Sequence, residues 1–152
     1  RIGVMLQSGG AWSGVRAVIA QASKEGVLEA AVRGDAGVGT VVHPKPKRLP
    51  ARRLWIAFAV GSEGTIVVDD GARRALLERN VSLLPAGVTS VEGRFDVDAP
   101  VEIAGPDGRV FAKGLVRLSA AQLRAVAGRR TGDLPDGYPH EVVHRDDLVV
   151  LP

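Results

Sequence analysis

Three histidines and one H-R-D-D tetrapeptide are the groups in this chain best suited to acid–base or metal chemistry. His144, Arg145, Asp146 and Asp147 reproduce the start of a phosphotransfer loop of the form H-R-D-x-x-x-x-N, in which the aspartate accepts a proton and the asparagine holds a metal. Here the aspartate is followed by D-L-V-V-L, with no asparagine at the required distance. The tetrapeptide therefore reads as a polar turn between two strands. His43, His140 and His144 show no H-E-x-x-H or comparable ligand spacing. His140 and His144 flank one predicted strand and would share a face, without making a metal-ligand pattern.

Three further stretches could bind an anion or a polyanion. S-K-E-G-V at 23–27 places a small polar residue and a glycine where a strand meets a helix, a corner whose free amides can hold an anion. Neither a G-x-G-x-x-G nor a G-x-x-x-x-G-K-[ST] pattern accompanies it, so a tight corner is the simpler reading. S-L-L-P-A-G-V at 82–88 reads as a rigid loop, with Pro85 presetting one turn and Gly87 permitting a positive φ. Lys45, Lys47, Arg48, Arg52 and Arg53 make a basic stretch, but Pro44, Pro46 and Pro50 interrupt it, as in a solvated linker.

These groups must be positioned by short elements. V-R-A-V-I-A at 15–20 suits a buried strand, V-L-E-A-A-V-R at 27–33 a two-turn helix with Val27, Leu28, Ala31 and Val32 on its apolar side, and V-G-T-V-V-H at 38–43 a second strand. A βαβ order implies parallel pairing. One helix cannot cover both faces of such a pair, so residues 1–43 read as the end of a larger α/β domain. Residues 52–60 suit a short helix or strand that packs Trp55 and Phe58, and Trp12 also reads as a packing residue. Beyond G-S-E-G, strands are predicted at 65–68, 88–92, 101–104, 110–116, 141–143 and 148–151. Asp69 or Asp70 caps a helix over A-R-R-A-L-L-E-R. Ser119 and Gln122 form a capping box, Leu118 and Leu123 occupy staple positions, and Gly128 ends that second helix. P-D-G at 106–108 is a hairpin turn. Six short strands and two helices fit a small closed or nearly closed barrel.

The 152 residues, 45% of them apolar, can fill one or two small cores. With no cysteine, disulfides and thiolate metal sites are excluded. The longest apolar runs are shorter than a membrane span, and a cytosolic, soluble protein is expected. The net charge of +3 is unevenly placed. Residues 1–63 hold nine Lys/Arg against four Asp/Glu, a net +5, whereas residues 64–149 hold eleven against thirteen, a net −2. The predicted barrel therefore lacks the surplus charge that phosphate binding uses, and 4% aromatic content leaves few stacking platforms.

Six pieces in order carry a family resemblance: V-I-A-Q-A-S-K-E-G-V, V-G-T-V-V-H-P, R-R-L-W-I, T-I-V-V-D-D-G-A-R-R-A-L-L-E, S-L-L-P-A-G-V-T-S-V-E-G-R-F and E-V-V-H-R-D-D-L-V-V-L. Together they resemble the C-terminal portion of bacterial glutamate 5-kinase, namely the end of its amino acid kinase domain and its PUA domain. The resemblance covers the chain from about Gly14 onward. It implies an α/β remnant at 1–43, a basic linker and short helix at 44–63, and a mainly β PUA-like pseudo-barrel with two short helices at 64–152. For the parent enzyme it implies ATP and Mg²⁺. Aligned on V-I-A-Q-A-S-K-E-G-V, the family's G-T-G-G-M…T-K segment falls at or before residue 3, so no catalytic, cofactor-binding or metal-ligating residue is assigned, and the chain alone is expected to be inactive as a kinase. RNA-binding relatives of the PUA fold make Arg73, Arg74, Pro85, Ala86 and Gly87 candidate RNA contacts, with Lys45, Lys47 and Arg48 of the basic stretch. Self-association or docking on a kinase domain are the other expected partnerships.

Overall fold

The computed structural model describes residues 16–21, 23–43 and 50–151. Lys45, Lys47, Arg48 and Trp12 lie outside them. The chain divides into two compact units, Arg1–Leu54 and Trp55–Pro152.

In the first unit, β1 (Ala17–Ala20), α1 (Val27–Arg33) and β2 (Gly39–Val42) follow in the expected order. Their pairing corrects the expectation: β1 and β2 run antiparallel, with Ala17 opposite Val42 and Ala20 opposite Gly39. The reversal comes from the connection. Gly26, Gly34 and Gly37 all take positive φ, bracketing α1 and folding the chain back on itself. At the register end, a Cβ on Gly39 would sit 2.1 Å from the Ile19 carbonyl oxygen, so the hairpin tolerates only glycine there. The apolar side of α1 is also narrower than predicted. Val27 is buried, but Leu28 and Val32 are 76% and 84% exposed.

The segment at 51–59 is neither a plain helix nor a strand. A single turn, α2 (Ala51–Leu54), is followed by a π-turn at Trp55–Ala59. Within the second unit this turn buries Ile56 and Ala57, whereas Trp55, expected to pack, is 51% exposed.

The rest of the second unit is a five-stranded mixed sheet in the order β4-β3-β5-β6-β7, made of β3 (Gly64–Val68), β4 (Val88–Gly93), β5 (Pro100–Ala104), β6 (Val110–Val116) and β7 (Val143–Val150). Only β3 and β5 pair in parallel. Alternation along β3 and β5 sends Ile66, Val68, Val101 and Ile103 into one core with Leu118 and Leu123. Two helices close it, α3 (Asp70–Glu78) and α4 (Ala120–Val126). Asp69 caps α3, its carboxylate accepting from the Ala72 amide at 2.7 Å. Ser119 and Gln122 make the reciprocal capping box at the start of α4, and the staple residues Leu118 and Leu123 are both fully buried. Ser119→Ala should cost about 1 kcal/mol, the usual loss for a cap, read as a lower urea midpoint at unchanged slope.

The two strands predicted at 141–143 and 148–151 are one strand, β7, so the sheet has five strands rather than six. H-R-D-D is not a turn. It is a bulge within β7: five steps from Val143 to Leu148 lie against two steps from Val116 to Gly114. Gly114 makes room for it, since a Cβ there would stand 2.5 Å from Val143 Cγ1 and 3.1 Å from the Asp147 carbonyl oxygen. The barrel is not closed strand to strand, because β4 and β7 are its two sheet edges. A short stretch spans the gap instead. The Leu83 amide donates to the Val143 carbonyl at 2.9 Å, the Val142 amide donates to Leu83 at 2.7 Å, and five residues later Val88 enters β4.

Candidate functional site

The same gap-spanning stretch builds the main concavity of the second unit. Pro85–Gly87 form one 3-10 turn whose proline sits at a position needing no amide bond. The Asp69 amide donates to the Gly87 carbonyl at 3.0 Å, holding the turn to the start of α3. Gly87 is required by close approach and not by the positive φ expected of it: it is absent from the positive-φ glycines, while a Cβ on it would come within 2.5 Å of Ala72 Cβ. Helix and turn thus meet backbone to backbone.

Between them lies a cavity of about 480 Å³, floored by Ala72, Ala75, Leu76, Leu83, Leu84 and Ala86. Two polar concavities border it. One shares Gly71 and Ala75 with it and bears Arg74, Glu78 and Arg79. The other shares Val81, Ser82 and Leu84 and bears Glu141, His144 and Arg145. The apolar trough is thus flanked by groups of both signs of charge. The β7 bulge shapes the second flank: the Arg145 amide donates to Ser82 Oγ at 3.0 Å, and the Asp146 amide donates to His144 Nδ1 at 3.2 Å. His144 Nε2 lies 4.0 Å from Glu141, which also lies 3.8 Å from Arg117.

The residues singled out from sequence separate into three groups. Ala86 and Gly87 line the trough and exposed Arg74 stands on its flank, its Nε donating to the Asp70 carbonyl at 3.3 Å. Pro85 is buried beneath the turn. Arg73 points elsewhere. Its guanidinium lies 3.3 Å from Asp107 and 5.7 Å from the centre of the Phe111 ring, clasping α3 to the β5–β6 hairpin. The Asp107 carboxyl is held below its ordinary range, first by the hydrogen bond it accepts from the Arg109 amide and then by Arg73, against a desolvation that works the other way. Sequence reasoning passed over Arg79, Leu83 and Leu84. The S-L-L-P-A-G-V motif already contained the two leucines, but only the bridge to Val143 shows that Leu83 turns inward.

His140 is exposed and precedes β7, which begins only at Val143, so it does not share a strand face with His144. Among the described residues no group of three or more His, Cys, Asp or Glu side chains could hold a metal ion. At the S-K-E-G-V corner the Ser23 hydroxyl accepts from Gln21 and makes no cap to α1.

Residues 64–137 match the PUA domain family, the region that holds the trough-forming helix and turn. Relatives that cover nearly the whole chain include several glutamate 5-kinases. A glutamate 5-kinase of Frankia casuarinae is 46% identical over 142 residues, covering 91% of this chain and 37% of the relative. Those of Myxococcus xanthus and Syntrophotalea carbinolica are 46% and 43% identical, each with 38% of its length covered. The chain is a PUA-containing C-terminal part of the glutamate 5-kinase family. It spans well under half the length of these relatives. Among solved structures, a PUA domain from Aeropyrum pernix K1 in a tartrate complex superposes with a TM-score of 0.46 at 23% identity, covering 62% of this chain and 49% of that one. A PUA domain protein from Thermoplasma acidophilum gives 0.41 at 18%, covering 66% and 60%. No helix among the described residues is long and apolar enough to cross a membrane.

Proposed function

We propose that this chain serves a glutamate 5-kinase, which transfers a phosphoryl group from ATP to the side-chain carboxylate of L-glutamate and so opens proline biosynthesis in the cytosol. The observation that carries this reading is the 46% identity sustained across 91% of the chain, through both units and not the PUA region alone. In this reading residues 1–43 end an amino acid kinase domain, 44–63 link it to the PUA domain, and ATP and Mg²⁺ are held by parts of the enzyme other than this chain. The PUA unit contributes an interaction surface, and the apolar floor of the trough with mixed charge on its flanks suits a protein segment.

Phosphoryl transfer depends on positioning and charge neutralisation, so the test is a transplant. This chain should replace the matching 142 residues of the Frankia relative, and the chimera should be assayed for γ-glutamyl phosphate with ATP and glutamate. Activity close to that of the parent is expected, and a folded but inactive chimera overturns the reading. The 152-residue chain alone should give no turnover above a heat-killed control.

A second reading, RNA binding by the same face, is favoured by exposed Arg74 and Arg79 on one flank of the trough and by the Gly128 amide donating to Pro85, which brings the Arg129–Arg130 backbone beside the turn. Two neutralised phosphates would make the affinity fall about tenfold for a fourfold rise in salt, through counterion release. Absence of binding to tRNA or duplex RNA at low salt removes this reading.

A further inference from the structure

The first unit leaves uncovered the face that its own sequence prepares for burial. Val27, Leu28, Ala31 and Val32 fall on one side of α1, by the helical period. A helix of seven residues is too short to hold without packing that side. Yet only Val27 is buried, while Leu28 and Val32 are 76% and 84% exposed. The sheet has the same deficit. A two-stranded hairpin is marginal by itself, and exposed Ile19 and Val41 stand on its opposite faces. Beside the helix, Val18, Leu28, Ala31 and Val32 line an open concavity of about 320 Å³ together with Arg16.

We infer that this side of α1, with the concavity next to it, is the seat of the remaining part of the kinase. The inference rests on the kinase reading above and adds which surface makes the contact. The match to the Frankia relative takes in 91% of this chain but only 37% of that enzyme, so most of that enzyme lies outside the match and is available as cover. Its contacting side chains must be apolar. A nucleic acid or a charged segment would leave Leu28 and Val32 against polar groups, with no gain from burying them. The other side of α1 remains polar, and there Arg33 pairs with exposed Asp35 at 3.1 Å.

The chain holds no cysteine, so a single introduced thiol reports its own surroundings. Leu28→Cys, Val32→Cys and, on the polar side, Arg33→Cys are made both in the 152-residue chain and in the Frankia chimera. Labelling by a thiol reagent is timed and located by peptide mass. In the chain all three thiols should react at similar rates. In the chimera those at positions 28 and 32 should react roughly tenfold slower or more, as for groups reached only by local opening, with Arg33→Cys unchanged. Equal rates in chain and chimera at positions 28 and 32 overturn the inference. So does slow labelling already present in the chain, which makes another stretch of it the cover or, where dilution restores the rate, a second copy. Activity of the unsubstituted chimera decides the kinase reading separately. An active chimera with fast thiols sinks the inference alone, and a folded, inactive chimera with slow thiols sinks the reading alone.

Discussion

Leu83→Ala is expected to lower the unfolding free energy of the second unit by about 2–5 kcal/mol, the range for deleting a fully buried leucine and leaving part of its cavity behind. Leu83 is 1% exposed. Its backbone forms the bridge between the two edges of the sheet, bonding to Val142 and Val143. The substitution spares those main-chain bonds, so its cost should be packing alone. Because Leu83 also floors the trough, the variant should enlarge the concavity while leaving Arg74 and Arg79 in place. Urea unfolding with a lower midpoint and an unchanged slope is the expected observation. A change below about 1 kcal/mol would show that the site collapses freely, and that the bridging stretch is not part of one rigid core.

Gly87→Ala is the second large effect. The added methyl would stand 2.5 Å from Ala72 Cβ, and neither atom can rotate away. The turn must then move off α3, which strains the bond from the Asp69 amide to the Gly87 carbonyl. Overpacking of this kind costs about 1–3 kcal/mol. The cause can be isolated by Ala72→Gly, which removes the atom being struck. Alone, that change should cost about 1 kcal/mol, as glycine does inside a helix. In the double variant the two losses should not add, because the clash is gone. Strict additivity would point to backbone conformation, not steric conflict, as the reason for glycine at this position.

The parts of the molecule that sequence reading captured are those whose causes are local. The caps at Asp69 and Ser119, the staple of Leu118 and Leu123, the turn at Gly108 and the stop at Gly128 each depend on a few neighbouring residues, and each is in place. Misreadings arose where distant segments decide. H-R-D-D looks like a turn because four polar residues interrupt two apolar runs. It stays within one strand because Gly114, some thirty residues earlier, leaves space for a bulge. Arg73 and Arg74 are adjacent and chemically alike, yet Asp107 and Phe111 draw one inward to the hairpin while the other stays exposed on the trough.

By itself the amino-acid sequence determined the family, the order of the elements from β3 to α4, and the ends of the two capped helices. These follow from periodicity, caps and turn residues, which act over a turn or two of chain. Tertiary structure alone decided how β1 meets β2, that β7 is one strand, that Leu83 spans the two sheet edges, and which arginines border the trough. Pairing direction, bulges and side-chain partners depend on residues far apart in sequence that share one core, where space and unpaired backbone groups are settled jointly.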